Sequence, residues 1–294
     1  MPSSIYLRCY AKINWTLDVL FKREDGFHEL RTIYQTISLH DLIRITETSG
    51  AIEIVCDDPQ IPCDETNLAH MAATQLRELV GTNLGARIEI EKRIPVAAGL
   101  GGGSSNAAAV LLGLSRLWKV EPGDRELTQI AAGLGSDVPF FLIGGTALGV
   151  GRGEEVYSIE QAECEHLVLV NPGFAVSTAE AYGKLLQLTA TCSAAMMPFT
   201  FFAAKGIRGL SLAVSNDLEE VVMAAHPEIA EVKRRLLSLG AKTALMSGSG
   251  PTVFGVFENV ETSRLAHSKM RAVGYWSEPA RAINRREYGE TLFQ

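Results

Sequence analysis

The glycine-rich segment 99–103 is the part of this chain whose residue types best fit chemistry. Four of its five positions are glycine, and Ser104, Ser105 and Asn106 follow directly. Glycine reaches positive φ freely and has no side chain, so several backbone N–H groups can turn toward one ligand. The alanine-rich run 107–118 predicts a helix that these three polar residues could cap, and free amides at a helix start attract anions. The segment therefore predicts a phosphate-binding loop.

Two widespread nucleotide-binding loops do not fit this segment. It lacks the lysine of the GxxxxGK[ST] loop and the third glycine of GxGxxG. The alternative interpretation is a tight turn that only allows close helix packing. Because a turn needs one or two glycines and this segment has four, we favour anion binding.

Lys12 and Asp137 are a second pair of candidates for chemistry. Lys12 is flanked by apolar residues early in a predicted strand, and Asp137 lies two residues before Pro139. Taken singly, Lys12 is best interpreted as a solvated lysine. Asp137 alone is best interpreted as the cap of a helix that has proline in its first turn. Taken together, they fit phosphoryl transfer. The ammonium keeps the carboxylate ionised and the pair orients an alcohol, beside Mg²⁺ and an amide cradle.

Two further segments could contact a ligand. Phe27 and His28 follow a turn signal at 24–26, and an exposed pair of this kind could stack on a base or hydrogen-bond a sugar. Packing of both rings at the loop edge is an equally open alternative. The Gly-Ser-Gly segment 248–250 could form a second anion-facing nest, or simply a hairpin turn.

Strands and helices in alternation must position these residues. Apolar residues at helical spacing, ended by Gly81, predict a helix after Asn67, whereas period-two alternation predicts strands in the N-terminal part. The pattern as a whole predicts an α/β fold of the α+β type. The predicted strands are 43–46, 52–55, 87–91, 166–170 and two within 243–254, and the other predicted helices are 107–118, 125–133 and 227–237.

Length and composition narrow the class of protein. At about 150 residues per domain, 294 residues predict two domains, and we place the boundary at 151–163, where the chain becomes charged and loses periodicity. The net charge of −7 disfavours a polyanionic partner such as DNA or RNA. The five cysteines include no CxxC pair, which predicts reduced thiols and neither disulfides nor a zinc site.

No targeting signal is recognisable in the sequence. The segment 1–12 lacks the apolar core of a secretory signal. The uncharged stretches 94–115 and 185–204 are interrupted by glycine, proline or polar residues, unlike a membrane helix of about 20 apolar residues. We therefore expect a cytoplasmic protein that binds neither nucleic acid nor membranes.

Taken in order, these segments resemble the GHMP kinases, the superfamily of galacto-, homoserine, mevalonate and phosphomevalonate kinases. The resemblance rests on 11–14, 95–107 and 247–251 and spans nearly the whole chain. It implies a two-domain kinase, with a strand-rich N-terminal domain at 1–156 and a smaller α+β domain at 157–294. ATP and the acceptor would meet in the cleft between them.

Segments 11–14, 25–30 and 135–141 are also similar to a branch of this superfamily that phosphorylates an alcohol on a small cytidine-diphosphate substrate. That resemblance implies Asp137 as the catalytic carboxylate and Lys12 as its cationic partner. It implies ATP binding by Asn67, Leu68, Pro95, Gly99, Leu100, Gly101, Gly102, Gly103, Ser104, Ser105 and Asn106. It also implies that Ser105 lies near Mg²⁺. It implies that Phe27 and Tyr182 flank the cytosine of the substrate. It also implies substrate binding by His28, Asn14, Gly248 and Ser249.

The chain departs from the family pattern at a few positions. Phe27 stands where the family usually has tyrosine, which keeps a stacking face but loses a hydroxyl. Ala97 and Ala98 replace glycines that are common before the loop. None of these changes removes a group that phosphoryl transfer needs. The match of Tyr182 rests only on its distance from the turn at 171–173.

Other functions stay open at this point. A homoserine or mevalonate type of kinase would share the loop, but its small aliphatic substrate offers no base for Phe27 and His28 to contact. A nucleotide-sensing relative without turnover would have no need of both Lys12 and Asp137. We expect ATP and Mg²⁺ as cofactors and a monomer or weak homodimer.

Overall fold

A computed structural model describes residues 3–189 and 214–294 of the chain. These residues form an α/β fold with two sheets. The strands are β1 (Ser4–Lys22), β2 (His28–Thr48), β3 (Ile52–Cys56), β4 (Gly85–Glu91), β5 (Thr146–Gly151), β6 (Glu155–Ser158), β7 (Leu167–Asn171), β8 (Ser215–Asn216), β9 (Thr243–Met246), β10 (Val253–Val256) and β11 (Trp276–Ala280). The helices are α1 (Leu68–Val80), α2 (Gly102–Leu117), α3 (Asp124–Leu134), α4 (Phe140–Ile143), α5 (Thr178–Thr189), α6 (Leu218–Ala225), α7 (Pro227–Ser238), α8 (Val260–Ala272) and α9 (Arg285–Thr291).

The first sheet is built around the long β1–β2 hairpin. Its order is β3-β4-β2-β1-β8, and β5 pairs with β2 and carries β6. The hairpin register places Lys12 opposite Thr36 and Asn14 opposite Tyr34. Since side chains alternate between the two faces of a strand, Lys12 and Asn14 share one face, while Ile13 packs into a core on the other.

Helix α2 lies against β1 and β2, and α1 packs beside it. A run of small and aliphatic residues, 107–111, is fully buried along this helix. Gly113 allows the close approach, because a Cβ there would lie 2.8 Å from Ile45 Cδ1. This packing fixes the start of α2, and with it the glycine-rich segment, relative to the hairpin.

The second sheet has the order β11-β7-β10-β9 and is antiparallel throughout. Helices α7 and α8 pack on it. A third group of buried residues lies between the two sheets, where the Trp15 ring meets Phe254 edge-on with centroids 5.5 Å apart. The loops of both sheets can therefore contribute to one site.

Most of the predicted elements are confirmed. The predicted strands correspond to β2, β3, β4, β7, β9 and β10, with bounds that differ by a residue or more, and the predicted helices correspond to α1, α2, α3 and α7. The predicted start of α2 is wrong, because Gly101 adopts φ +71° and turns the chain into the helix at Gly102. Ser104, Ser105 and Asn106 therefore lie inside the helix and do not cap it.

The division into domains at 1–156 and 157–294 stays a prediction. In the structure, β8 from the second half pairs with β1 of the first sheet. Helix α9 and the residue that follows it also return to the first core, which they join through Tyr288 and Leu292. Segments from both halves thus stabilise the first sheet.

Within the two described ranges, none of the helices has the length and apolar character needed to span a bilayer. Four cysteines in these ranges are free thiols, namely Cys9, Cys56, Cys63 and Cys164. Cys192 and most of the stretch 185–204 lie outside the described residues.

Candidate active site

One cavity of about 910 Å³ brings together most of the residues singled out by the sequence. Strands β1 and β2, the glycine-rich segment, the turn before α4, helix α5 and the β9–β10 loop all contribute to its wall. The predicted site residues that line it are Lys12, Asn14, Phe27, His28, Leu68, Pro95, Gly99, Gly101, Gly102, Gly103, Ser104, Asp137, Tyr182, Gly248 and Ser249. Four predicted residues lie outside this lining, namely Asn67, Leu100, Ser105 and Asn106.

The glycine-rich segment is fixed by a close backbone contact with the second sheet. Gly99 and Gly101 have φ values of +75° and +71°, a region that disfavours residues with a Cβ. A Cβ on Gly99 would lie only 2.2 Å from the carbonyl oxygen of Ser247. The Ser247 hydroxyl donates a hydrogen bond to the Gly99 carbonyl over 2.9 Å. Glycine at position 99 is therefore required both by its conformation and by this contact.

The start of α2 forms what we call the amide end of the cavity, residues 99–104. Ser105 makes the first hydrogen bond within the helix, to the carbonyl of Gly101 over 2.9 Å. The amides of Gly102, Gly103 and Ser104 precede that bond, and these residues line the cavity. Together with the positive end of the helix dipole, they can bind phosphate oxygens.

Lys12 and Asp137 form an ion pair in the cavity wall. Lys12 Nζ lies 3.3 Å from Asp137 Oδ2 and donates to Asn14 Oδ1 over 2.8 Å. Lys12 is only 3% exposed, so the ammonium depends on these partners. Its backbone N–H donates to the Leu100 carbonyl over 2.9 Å, which ties the pair to the amide end. The single-residue alternatives do not hold, since Lys12 is not solvated and Pro139 occupies the N-cap of α4.

Tyr34 is a site residue that the sequence analysis missed. Its hydroxyl donates to Asp137 Oδ1 over 3.0 Å and lies 3.3 Å from the carbonyl oxygen of Gly153. Burial, and then the nearby Asp137 carboxylate, raises the pKa of Tyr34 well above its ordinary value. The phenol is therefore a donor and not a base at neutral pH. The one feature that could have indicated a role for Tyr34 is strand pairing, which places it opposite Asn14.

The β9–β10 loop approaches the ion pair from the second sheet. Gly248 has φ +56°, and a Cβ there would lie 3.1 Å from Lys12 Nζ and 3.4 Å from Asn14 Oδ1. The side chain of Asn216 fixes this loop by donating to the carbonyls of Met246 and Gly248, each over 2.8 Å. Glycine at 248 therefore leaves room for the ammonium, and Asn216 is a second residue that the sequence did not reveal.

Phe27, His28, Arg152 and Tyr182 form what we call the aromatic end of the cavity. His28 stacks on Tyr182 with ring centroids 5.1 Å apart and planes 20° apart. Burial, and then the Lys22 ammonium, lowers the pKa of His28, so the ring is neutral at pH 7. Its Nε2 is buried without a hydrogen-bond partner in the part of the chain that the structure describes. Phe27 is 52% exposed, and the set suits a flat heterocycle with a hydrogen-bonding edge.

The four predicted residues outside the lining have structural partners. Asn67 caps α1, accepting a backbone hydrogen bond over 2.8 Å, and Asn106 donates to Asp41 over 3.0 Å. Leu100 belongs to the core between the sheets, and Ser105 is 2% exposed. Their roles toward a nucleotide stay predictions.

Asp41 is a buried carboxylate that organises the approach to the amide end. It accepts hydrogen bonds from the backbone of Arg93 and Ile94, each over 2.8 Å, and from the Lys92 ammonium. A Cβ on Gly102 would lie 3.1 Å from Lys92 Nζ, so this lysine adds positive charge beside the amides. Neither Asp41 nor Lys92 was singled out by the sequence.

The cavity differs in charge from the chain as a whole. Among the described residues, its lining holds one carboxylate, Asp137, and four cationic side chains, Lys12, Lys22, Lys92 and Arg152. The chain carries a net charge of −7. Three of these cations are ion-paired, Lys12 with Asp137, Lys92 with Asp41 and Arg152 with Glu154. Counting these carboxylates, the excess is one positive charge, which favours anionic ligands such as phosphates. The described residues hold no cluster of three or more His, Cys, Asp or Glu side chains able to bind a metal ion.

Known proteins support the resemblance drawn from the sequence. The family model described as GHMP kinases N terminal domain matches residues 67–145, and the one described as GHMP kinases C terminal matches 202–275. A curated relative from Geobacter sulfurreducens, named 4-diphosphocytidyl-2-C-methyl-D-erythritol kinase, is 44% identical and covers 94% of this chain and 98% of its own. A relative of the same name from Alkaliphilus metalliredigens is 40% identical and covers 97% and 99%.

Solved structures agree on the fold. A crystal structure of 4-(cytidine 5'-diphospho)-2C-methyl-D-erythritol kinase is 36% identical, has a TM-score of 0.79 and covers 94% of this chain and 99% of its own. Homoserine kinase from Cytophaga hutchinsonii, at 18% identity, has a TM-score of 0.73, covers 97% and 96%, and shares the fold alone. The predicted fold and family are both confirmed. The chain belongs to the GHMP kinases and, among them, to the 4-diphosphocytidyl-2-C-methyl-D-erythritol kinase family.

Proposed function

We propose that this chain transfers the γ-phosphoryl group of ATP to the 2-hydroxyl of 4-diphosphocytidyl-2-C-methyl-D-erythritol, in the synthesis of isoprenoid precursors. The shared name of the relatives supports this substrate. The structural observation that carries the proposal is that one cavity joins the amide end, the Lys12–Asp137 pair and the aromatic end. A triphosphate, an alcohol and a nucleobase each meet matching groups there.

The ion pair supplies the groups that act on the reacting atoms. The acceptor oxygen attacks the γ-phosphorus, the bond from that phosphorus to the β,γ-bridging oxygen breaks, and ADP leaves. Asp137 accepts the hydrogen bond of the acceptor hydroxyl and takes its proton as the new O–P bond forms. Lys12, 3.3 Å from that carboxylate, keeps it ionised and faces the charge on the transferred group. Most of the acceleration comes from this positioning, because the transition state is loose.

Tyr34 and Asn14 hold the ion pair in its reactive arrangement. Tyr34 donates to one carboxylate oxygen of Asp137, while Lys12 faces the other. Asn14 accepts from Lys12 and donates over 2.7 Å to the hydroxyl of Thr32. The contacts at the two Asp137 oxygens thus restrict the carboxylate. The acceptor hydroxyl therefore meets a group that is already oriented.

We include Mg²⁺ in this proposal, delivered with the nucleotide. When bound, Mg²⁺ would neutralise charge on the β- and γ-phosphoryl oxygens. The ion usually keeps several waters and takes only one or two protein carboxylates besides phosphates. The cavity fits this preference, because Asp137 is the one carboxylate among the described residues that line it. The predicted contact, Ser105, is 2% exposed, whereas Ser104 lines the cavity. Separate alanine variants would show which hydroxyl the bound ion needs.

The aromatic end provides the contacts proposed for the cytosine. Phe27 and Tyr182 offer ring faces, and the neutral His28 offers an unpaired buried nitrogen. Such a nitrogen is costly to leave without a partner, so a ligand that hydrogen-bonds it gains affinity. A small aliphatic acceptor would leave it unpaired, which favours the cytidine substrate over homoserine or mevalonate.

An ADP-release assay with alternative acceptors tests this function. Purified protein with ATP and Mg²⁺ is offered the cytidylylated methylerythritol, homoserine, mevalonate or no acceptor. We expect ADP release to depend on the cytidylylated compound. Equal or faster release with homoserine or mevalonate would contradict the substrate, and ATP binding without release from any acceptor would contradict the activity.

Two predictions about the protein in the cell accompany this function. We propose that it acts in the cytoplasm, as a monomer or weak homodimer. Cell fractionation tests the first, and sedimentation velocity over a range of micromolar concentrations tests the second.

A further inference from the structure

Segment 216–219 runs from the end of β8 into α6 and lies between β1 and the β9–β10 loop. On one side, β8 pairs in parallel with β1. The backbone N–H of Asp217 donates to the Leu17 carbonyl over 3.0 Å, and the Asp217 carboxylate accepts from the backbone N–H of Val19 over 2.8 Å. The segment is therefore attached to the strand that carries Lys12.

On its other side, the segment holds the end of β9. Strand β9 is the last in the order of the second sheet, and side chains of the segment hydrogen-bond its final residue, Met246. The Met246 N–H donates to Glu219 over 2.9 Å, and its carbonyl accepts from Asn216 Nδ2 over 2.8 Å. The same Nδ2 donates to the Gly248 carbonyl, also over 2.8 Å. Both hydrogens of this amide group are thus used to fix the loop that begins there.

The loop fixed in this way touches both the amide end and the ion pair. The Ser247 hydroxyl donates to the Gly99 carbonyl over 2.9 Å. Gly248 comes so close to Lys12 that a Cβ on this glycine would lie 3.1 Å from Nζ. Because Lys12 is only 3% exposed, the loop helps to keep its ammonium away from water and beside Asp137. A displacement of the loop would therefore disturb the ammonium and the glycine-rich segment together.

We infer that Asn216 is a positioning residue for phosphoryl transfer, which sets the Lys12 ammonium and the glycine-rich segment relative to each other through the β9–β10 loop. This inference rests on the proposed function. Asn216 is 8% exposed and does not line the cavity, so it acts through the loop and not on the substrates. The reaction depends on such positioning, because a small displacement of the groups around the reacting atoms reduces the rate strongly.

The variant Asn216→Asp isolates the two hydrogen bonds that Asn216 donates to the loop. The new side chain has the same shape and keeps an oxygen for the backbone N–H of Leu218, whose hydrogen bond Asn216 accepts over 3.0 Å. A carboxylate cannot donate to the two carbonyls of the loop, so both of those hydrogen bonds are lost. The matched control is Asn259→Asp, because Asn259 is exposed and its side chain likewise accepts a backbone hydrogen bond at the start of a helix, α8.

Steady-state kinetics and calorimetric titration of ATP measure the effect. We expect Asn216→Asp to lower kcat of the folded enzyme by about tenfold and to weaken ATP binding by about threefold or more, since lost hydrogen bonds contribute on that scale. Asn259→Asp should leave both quantities unchanged. A residue with only a structural role would lower the melting temperature and the folded fraction, and would leave kcat and ATP affinity of the folded enzyme unchanged.

A double-mutant cycle with Ser247→Ala tests the route through the loop. Ser247→Ala removes the hydrogen bond to Gly99 directly, so it should weaken ATP binding by itself. If Asn216 acts through this loop, the double variant should weaken ATP binding by less than the product of the two single effects. Single effects that simply multiply would overturn this route.

Asn216→Ala, compared with Asn259→Ala, repeats the test without a buried charge if Asn216→Asp does not fold. The inference alone is overturned by normal kcat and ATP affinity in a folded variant at position 216, when the wild type releases ADP with the cytidylylated acceptor. A wild type that binds ATP and releases no ADP with that acceptor would overturn the proposed function with it.

Discussion

The amide end and the aromatic end of the cavity are built by different means. The amide end comes from one contiguous segment, 99–104, and uses backbone N–H groups that glycine conformations expose. The aromatic end comes from side chains of separate segments, with Phe27 and His28 at the turn of the β1–β2 hairpin, Arg152 in another turn and Tyr182 on α5. Backbone amides can bind phosphate of any nucleotide, whereas side chains can discriminate among acceptors. We therefore expect selectivity for the acceptor to reside in the aromatic end.

The ion pair lies where these two ends meet. Lys12 is tied to the amide end through the Leu100 carbonyl, and Asp137 is tied through Tyr34 to the turn that carries Arg152. Changes at the amide end should consequently impair ATP binding, and changes at the aromatic end should impair acceptor binding. Changes at the ion pair should impair turnover with both ligands bound.

The largest effect is expected at the ion pair. Asp137→Asn keeps the shape of the side chain but removes the charge that accepts the proton, so turnover should fall by about 10² or more. ATP binding, measured by calorimetry, should change little. Turnover close to that of the wild type would remove Asp137 from the reaction.

Gly99→Ala should break the amide end. The added Cβ would lie 2.2 Å from the Ser247 carbonyl, at a φ of +75°, so the segment must shift. We expect ATP affinity to fall by about tenfold or more, since left-handed strain alone contributes roughly 1–2 kcal/mol. The control is Gly133→Ala in α3, where a Cβ meets nothing within 4 Å and the helix gains propensity. Normal ATP binding by Gly99→Ala would contradict the role of this conformation.

Tyr34→Phe should lower kcat by a smaller factor, because it changes one contact of the ion pair where the two ends of the cavity meet. It removes the donor to Asp137 while keeping the ring that stacks on Phe140 at 4.9 Å. Loss of a hydrogen bond to a charged group suggests a decrease in kcat of about tenfold, with both KM values unchanged. Tyr157→Phe, at an exposed tyrosine, is the control. A variant whose KM for the acceptor changes and whose kcat does not would place Tyr34 in substrate binding instead.

The smallest effect concerns the pH dependence of the aromatic end. Burial lowers the pKa of His28, so the ring stays neutral below the ordinary histidine value of about 6.5. Cytidine affinity should be constant from pH 8 to about that value and should decrease at lower pH. The reason is that the protonated His28 ring carries a charge, which bound cytidine would shield from water at a cost in free energy. His28→Asn should remove this decrease. Titrations at several pH values check it, and affinity that increases with acidity would contradict it.

The sequence revealed the amide end better than the aromatic end for a physical reason. Four glycines in one short segment are a local signal, and the segment does begin a helix beside the cavity. Tyr34 and Arg152 carry no such signal, because their contacts depend on strand register and on a turn far away in the chain. Asp41 was missed because a buried carboxylate is identified by its four donors, which only the fold brings together.

The boundaries of α2 show the same limit on a smaller scale. Serine and asparagine are good caps, so the sequence predicted a helix that starts at residue 107, after Asn106. The φ of Gly101 decided the start instead, and backbone conformation at a glycine is poorly determined by residue type. The pairing of Lys12 with Asp137 was predicted because the two residues together fit phosphoryl transfer, and the family resemblance implied the same pair.

The position of the transferred phosphate is the most direct test of the central claim, that the two ends hold ATP and a cytidine diphosphate acceptor with the ion pair between them. Phosphorus NMR of the reaction of the wild type with ATP, Mg²⁺ and the cytidylylated methylerythritol locates it. We predict a new phosphomonoester signal on the alcohol while both diphosphate signals of the acceptor are retained. Inorganic phosphate alone, or a phosphate added to the diphosphate, would contradict the account.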